Sequence, residues 1–464
     1  MIDTVLIWIE KNSRRWLHDL QQWLSIPSVS TDPAHAGDVQ AAAEWAQFYL
    51  RSAGMDASLI PTARHPCVLA TTPEGMYPES APHIVIYGHY DVQPPDPLDA
   101  WKSPPFSPTI NRGQIIARGA SDDKGQTFCH MAALLAWREI SQQFPLRVTV
   151  LLEGEEEIGS PNLPRVIREL KPQLADAAAL VISDSAQFAP GIPAITSGLR
   201  GLIYYQITLT GPNRDLHSGV YGGAVANPAT VLCEMIGRLH DSTGRVTIPG
   251  FYDHVVSVDA ELRRQWSKLP FSDQLFAQDI GVSNLYGEVG YSTLERRWCR
   301  PTLEVNGLTS GFQGPGAKTI IPATASAKIS MRLVPDQNPD EIRAAFEEYL
   351  KSMLPEGITM QCELFGASPA VVTATDSPAI AAAINAARIG LGAEPVIIRE
   401  GGSIPVVNWF RQELGLESVL LGFGLPDDNL HSPNEKLDLD CFYGGIRSSA
   451  LLLDEMSRAF APKK

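Results

Sequence analysis

His83-Ile84-Val85-Ile86-Tyr87 is an apolar run that stops at Gly88, and His89, Tyr90 and Asp91 follow it. An unbroken run of this length predicts a strand buried on both faces, as in a parallel sheet. The end of that strand carries an imidazole and a carboxylate. Working outward, the pattern recurs. Arg147-Val148-Thr149-Val150-Leu151-Leu152 is a second run, stopping at Gly154, and Leu180-Val181-Ile182 is a third. Between the first two, residues 125–143 read as a helix with Met131, Leu134, Leu135 and Ile140 inward. Residues 1–60 also read as helical. Leu6, Ile9, Trp16, Leu20 and Leu24 share one face, and a second helix is predicted over 39–52. Buried strands alternating with helices predict an α/β domain, its mostly parallel sheet covered by helices on both faces.

The pattern changes near Gly198. Ile203-Tyr204-Tyr205-Gln206-Ile207-Thr208-Leu209 alternates partly, as in a sheet with one solvated face. Helices are predicted over 228–239 and 340–353 and a strand over 325–333, with a long Trp-, Arg- and Gly-rich segment at 250–316. After about residue 368 the αβ alternation resumes, through a helix at 378–391, a strand at 395–398 and a late strand at Val419-Leu420-Leu421. The sequence therefore predicts a discontinuous first domain, residues 1–197 and 368–464, with an α+β domain inserted at 198–367.

At 464 residues the chain exceeds one compact core. Hydrophobic residues at 44% and charged residues at 19% are ordinary for a globular protein. A net charge of −15 disfavours nucleic acid and anionic membranes as partners. The apolar runs are too short to span a bilayer, and the N-terminus lacks the basic start of a secretory signal. Cys67, Cys129, Cys233, Cys299, Cys362 and Cys441 are scattered without CxxC spacing, which reads as reduced thiols in a cytoplasmic protein. Any metal would then be held by His and carboxylates.

Four strand ends carry such groups. The first ends in His89 and Asp91, the second in Glu153, Glu155, Glu156 and Glu157, and the third in Asp184. Val419-Leu420-Leu421 leads through a Gly-rich turn to His431. Asp122 and Asp123 precede the helix at 125–143. Singly, each has an ordinary explanation: a hydrogen-bonded His, solvated loop charge, or a helix cap. Those explanations do not predict that all of them follow buried strands, where sites form in parallel sheets. Mixed N/O donors suit zinc, and also manganese or cobalt.

These stretches carry a resemblance. Gly88–Asp91, Arg118–Gly125, Glu153–Ser160, Ile182–Asp184, Asp215-Leu216-His217-Ser218-Gly219, Arg399–Pro405 and His431–Glu435 resemble, in order and over nearly the whole chain, the dinuclear zinc peptidase family. That family includes carnosine dipeptidase, succinyl-diaminopimelate desuccinylase and acetylornithine deacetylase. The likeness is nearest to its cytosolic carnosine dipeptidase-like branch. It implies a zinc peptidase catalytic domain with an inserted lid and dimerisation domain, two zinc ions per subunit, and a homodimer. It implies that Asp122 bridges the metals, that His89 and Asp184 complete one, and that Glu157 and His431 complete the other. Asp91 would orient His89, and Glu156 would be the general base. His217, from the partner subunit, would stabilise the oxyanion. Arg332 would clamp the substrate carboxylate, with Ser403, Gly402 and Thr319 adding contacts. Asp rather than Glu at 184 is the pattern of the family's dipeptidases and aminopeptidases. The expected activity is hydrolysis of dipeptides or short peptides. The alternatives are an N-acyl amino acid deacylase, a carboxypeptidase, or a non-catalytic metal or peptide binder on the same fold.

Overall fold

The computed structural model of the chain describes residues 1–402 and 404–461. They divide into two compact units. One comprises Met1–Ser197, Thr373–Ile398 and Pro405–Lys464, and the other Gly198–Val372 and Arg399–Ile404. Arg399–Ile404 thus departs from the sequence expectation, which placed it with the first domain. Its attachment is local: Arg200 Nε donates to the Gly401 carbonyl at 3.1 Å.

The first unit is built on a twisted sheet. Its order runs Asp56–Ile60, Cys67–Thr71, Arg147–Glu153, His83–His89, Ala177–Ile182, Ser418–Leu420, Ala194–Leu199. The central strands are parallel: His83–His89 pairs in parallel with both neighbours, and Ser418–Leu420 with Ala177–Ile182. Strands farther out are antiparallel. Asp56–Ile60 corrects the expectation that residues 1–60 are wholly helical. The helices there are Ile2–Lys11, Ser13–Leu24 and Ala36–Ser52.

The strand residues alternate between two cores, which is why the runs are apolar throughout. Ile84, Ile86, Val148, Val150 and Val181 face a cluster that includes Phe128, Met131 and Leu135 of the helix Lys124–Ser141 and Ile446 and Leu453 of Leu439–Ala459. Tyr87 points the other way and meets Phe410 edge-on, with ring centroids 6.1 Å apart. Phe410 lies on Pro405–Leu414, which packs with Leu163–Leu174. Helix Lys124–Ser141 is buried from its first residue to Trp137 and ends where Gln142 turns left-handed at φ 59°. Gly88 gives it room, since a Cβ there would lie 1.9 Å from Thr127 Oγ1.

The second unit has an antiparallel sheet ordered Thr302–Ser310, Thr324–Leu333, Gly201–Thr210, Thr359–Ser368. Burial alternates along Gly201–Thr210, as period-2 patterning requires. Its inward side chains, Ile203, Tyr205, Ile207 and Leu209, pack with Phe346 and Leu350 of the helix Pro339–Ser352. That helix starts cleanly because Asn338 accepts from Asp340 N and Pro339 supplies a preset φ. Full burial of a residue such as Phe346 contributes about 1.5–3 kcal/mol. The segment 250–316, unassigned from sequence, forms short helices at Ala260–Trp266, Asp273–Asp279 and Thr293–Trp298 and the edge strand Thr302–Ser310. Among the described residues, no helix is long and apolar enough to cross a membrane.

Candidate metal centre

The chemistry-bearing groups of the first unit gather at one end of its parallel strands. His89 is the last residue of His83–His89. Glu156 and Glu157 sit in a 3-10 turn, Glu156–Ile158, just past Arg147–Glu153. Asp184 follows Ala177–Ile182 by two residues. Asp122 immediately precedes the helix-flanking Asp123. His431 lies in the segment joining Ser418–Leu420 to Lys436–Asp438, in the left-handed region at φ 56°. Adjacent parallel strands deliver their ends to one place, so residues hundreds of positions apart converge.

Asp122 sits at the centre of the set. Its Oδ1 lies 3.1 Å from His89 Nε2, and its Oδ2 lies 3.0 Å from His431 Nε2. Asp184 Oδ2 is 4.0 Å from His89 Nε2, and Glu157 Oε2 is 3.4 Å from His431 Nε2. Two groups of donors result, His89–Asp122–Asp184 and Asp122–Glu157–His431, and they share Asp122. Each oxygen of one carboxylate therefore faces a different group.

The electrostatics of the cluster call for cations. Burial pushes the Glu156 carboxyl up to about 8; His89 partly offsets this, while Asp184, Asp91 and Asp122 add to it. Burial, with Asp122 nearby, pushes Glu157 up to about 10 and Asp184 up to about 6. Asp122 is the opposite case. Burial works against its charge, but hydrogen bonds from His431 and His89 outweigh that and hold it low. Burial likewise opposes charge on His89, and Asp122 and Asp91 overcome it, so its pKa is raised. Crowded, buried carboxylates with imidazoles drawn to positive charge are what a pair of divalent cations would relieve. The donors are N and O only, and no cysteine belongs to either group, which fits zinc, manganese or cobalt. Each group offers one imidazole, one private carboxylate and a share of Asp122. Three protein donors leave a position open to water or substrate.

The neighbouring residues orient this set. His89 Nδ1 donates to the main-chain carbonyl of Asp91 at 3.1 Å, with the Asp91 carboxylate at 3.4 Å. That leaves Nε2, the nitrogen facing Asp122, as the one that could ligate a metal ion. The Asp91 carboxylate has a further task not read from the sequence. It accepts from the main-chain N–H groups of Glu156 and Glu157 at 3.2 and 3.1 Å and from Ser30 Oγ at 2.6 Å, and so fixes the acidic turn. Asp123 stands at the N-cap of Lys124–Ser141 but its side chain makes no capping bond: its carboxylate accepts from His89 N and Thr127 Oγ1. Glu153 and Glu155 are anchors rather than site groups. Glu153 accepts from Tyr87 and Ser160, and Glu155 from Thr62, the His65 main chain and Asn162. No spacing rule in the cluster 153–157 separates anchors from site residues. Glu435, whose carboxylate meets the Asp122 loop, was also missed; its place in the stretch that opens at His431 was the available signal.

A third acidic group, Asp427, Asp428 and Asp438, has donor spacing too. Lys436 Nζ already fills it, at 3.1, 2.6 and 3.0 Å from the three carboxylates.

In the second unit, His217 and Thr319 come together. Leu216–His217 pairs with Ile320–Ile321, and Ser218 N donates to the Thr319 carbonyl at 3.1 Å. Both residues are exposed. His217 Nδ1 accepts from Gly219 N at 3.0 Å, so the neutral ring carries its proton on Nε2, where it can donate. Arg332 is half-buried on Thr324–Leu333, and with Arg200, Arg297 and Ser330 it lines a cavity of about 730 Å³. Burial lowers its pKa. Gly402 is exposed, and Ser403 lies outside the described residues.

A profile of the peptidase family M20/M25/M40 matches residues 85–455. The Cys-Gly metallodipeptidase dug1 of Schizosaccharomyces pombe is 33% identical over 468 residues, 97% of this chain and 97% of that one. The human Beta-Ala-His dipeptidase is 30% identical over 380 residues, 81% of this chain and 75% of its own. Among solved structures, the M20 family metallo-carboxypeptidase Sso-CP2 of Sulfolobus solfataricus superposes with a TM-score of 0.85 at 32% identity, covering 96% of this chain and 99% of that one.

Proposed function

Because the chain belongs to the peptidase family M20/M25/M40, we propose that it is a metallodipeptidase using two zinc ions per subunit, each held on one side of Asp122. The observation that carries this reading is the division of the Asp122 oxygens between two donor groups. His89 and Asp184 would hold one ion, and Glu157 and His431 the other. When bound, the ions acidify a water and polarise the scissile carbonyl.

The protein's own groups do the rest. Glu156 takes a proton from the attacking water and passes it to the leaving amine. Asp91 holds His89 in its ligating tautomer and keeps Glu156 and Glu157 aimed. His217 Nε2–H, offered by the partner subunit of a homodimer, meets the developing oxyanion. Arg332 grips the substrate carboxylate, and Thr319, Gly402 and Ser403 add hydrogen bonds. The short Asp184 favours a substrate with a free amine. The dipeptidases among the relatives support dipeptides as that substrate class, and the free thiols suit a cytoplasmic setting.

A second reading, carboxypeptidase action on longer peptides, is favoured by the likeness to Sso-CP2. A panel of dipeptides, tripeptides and N-acyl amino acids, assayed after chelation and again with added zinc, manganese or cobalt, separates the two. We expect metal-restored cleavage of free-amine dipeptides. Cleavage confined to N-acyl amino acids or longer chains would overturn the dipeptidase reading.

A further inference from the structure

We infer that Glu435 is a positioning residue for the metal centre: its carboxylate fixes the main chain at Asp122, and so sets where the two oxygens of Asp122 stand. Glu435 is completely buried. Both of its carboxylate oxygens are fully used. Oε1 accepts from Ser121 N at 2.9 Å and from Asp122 N itself at 3.0 Å. Oε2 accepts from Gly119 N at 2.9 Å and from Arg118 Nη1 at 2.8 Å. The main chain joins in, with Ala117 N donating to the Glu435 carbonyl at 3.1 Å.

These bonds tie together two segments far apart in sequence. The next residues, Lys436–Asp438, form a strand against Gln114–Ile116. Four residues earlier lies His431, which faces Asp122 Oδ2. Ser121 Oγ donates to Asp428 Oδ2 at 2.8 Å, and Gln126 bonds to the Ser121 carbonyl and to Phe423 N. One side chain therefore sets the loop carrying the shared carboxylate against the loop carrying a His ligand of one group. Metal–ligand distances tolerate only a few tenths of an ångström, so a small shift of the Asp122 backbone disturbs both groups at once.

The chemistry demands a carboxylate. All four partners are donors, and an amide would turn its own NH2 towards two of them. Aspartate keeps the charge for Arg118 but is one carbon too short to reach every N–H.

The inference rests on the metal reading of the site, and its test reads the metal directly. Zinc affinity is measured by competition with a chromogenic chelator for wild-type protein, Glu435→Gln and Glu435→Asp, alongside the thermal transition of each metal-free protein. We expect at least one variant to melt cooperatively without metal yet bind zinc about 10- to 100-fold more weakly, the scale for partners of ligands. We also expect kcat to fall with little change in KM. Wild-type zinc affinity in a folded variant would overturn the positioning role. So would loss of the fold in both variants, which would make Glu435 a structural counter-ion of Arg118. Wild-type protein that takes up no zinc would instead defeat the metal reading itself.

Discussion

The two units use polar side chains in opposite ways. In the first, His89, Asp91 and Asp122 are buried, and hydrogen bonds hold each of them in place. In the second, His217 and Thr319 are exposed on a short ladder, and Arg332 stands half-buried on a sheet whose other side packs against helices. A buried carboxylate is costly unless it is bonded or paired, so a cation site needs a rigid surround that satisfies every lone pair. Groups that meet a substrate must stay wet and reachable until it arrives. The difference predicts that variants of the first unit fail by losing metal or chemistry, and variants of the second by losing substrate.

The sharpest break is Asp122→Ala. Both donor groups lose their shared member, so bound metal, measured by elemental analysis after dialysis, should fall for both ions and turnover should drop below detection. Retention of one full equivalent would mean that the groups are independent. Next comes Glu156→Gln, which should keep its metal and lose ~10²- to 10⁴-fold in kcat, the range for a general acid–base group. Full activity would remove Glu156 from that role. The smallest effect is expected in the second unit. Arg332→Met should leave metal content unchanged and raise KM by roughly 10- to 100-fold, the scale of lost charge-assisted bonds. A fall in metal content there would dissolve the contrast between the units.

Much of this was legible in the sequence because burial writes itself as unbroken apolarity. The runs at 83–87, 147–152 and 180–182 became central strands, and His89, Glu157 and Asp184, which follow them, lie in the two donor groups that share Asp122. The strand Asp56–Ile60 was missed because its burial is weak and mixed, so nothing distinguished it from the helices before it. Arg399–Ile404 was placed with the first domain because its attachment to the second unit includes side-chain contacts such as that of the Arg200 guanidinium with the Gly401 carbonyl, which leave no periodic trace. Within Glu153–Glu157 the obstacle was different. Identical side chains one to four residues apart take different tasks according to what faces them, and pattern is blind to that. The double task of Asp91 and the placement of Glu435 were hidden for the same reason, since both act on main-chain N–H groups that every residue possesses.

Lys436 adds a constraint of another kind. The chain carries three acidic clusters with the spacing to trap a divalent ion among its described residues, and in one of them a tethered ammonium already stands. That leaves two of these groups, rather than three, without such a built-in cation among the described residues. The plug sits one residue from Glu435, so on the inference drawn above a single dipeptide of opposite charges would set one donor group and fill another.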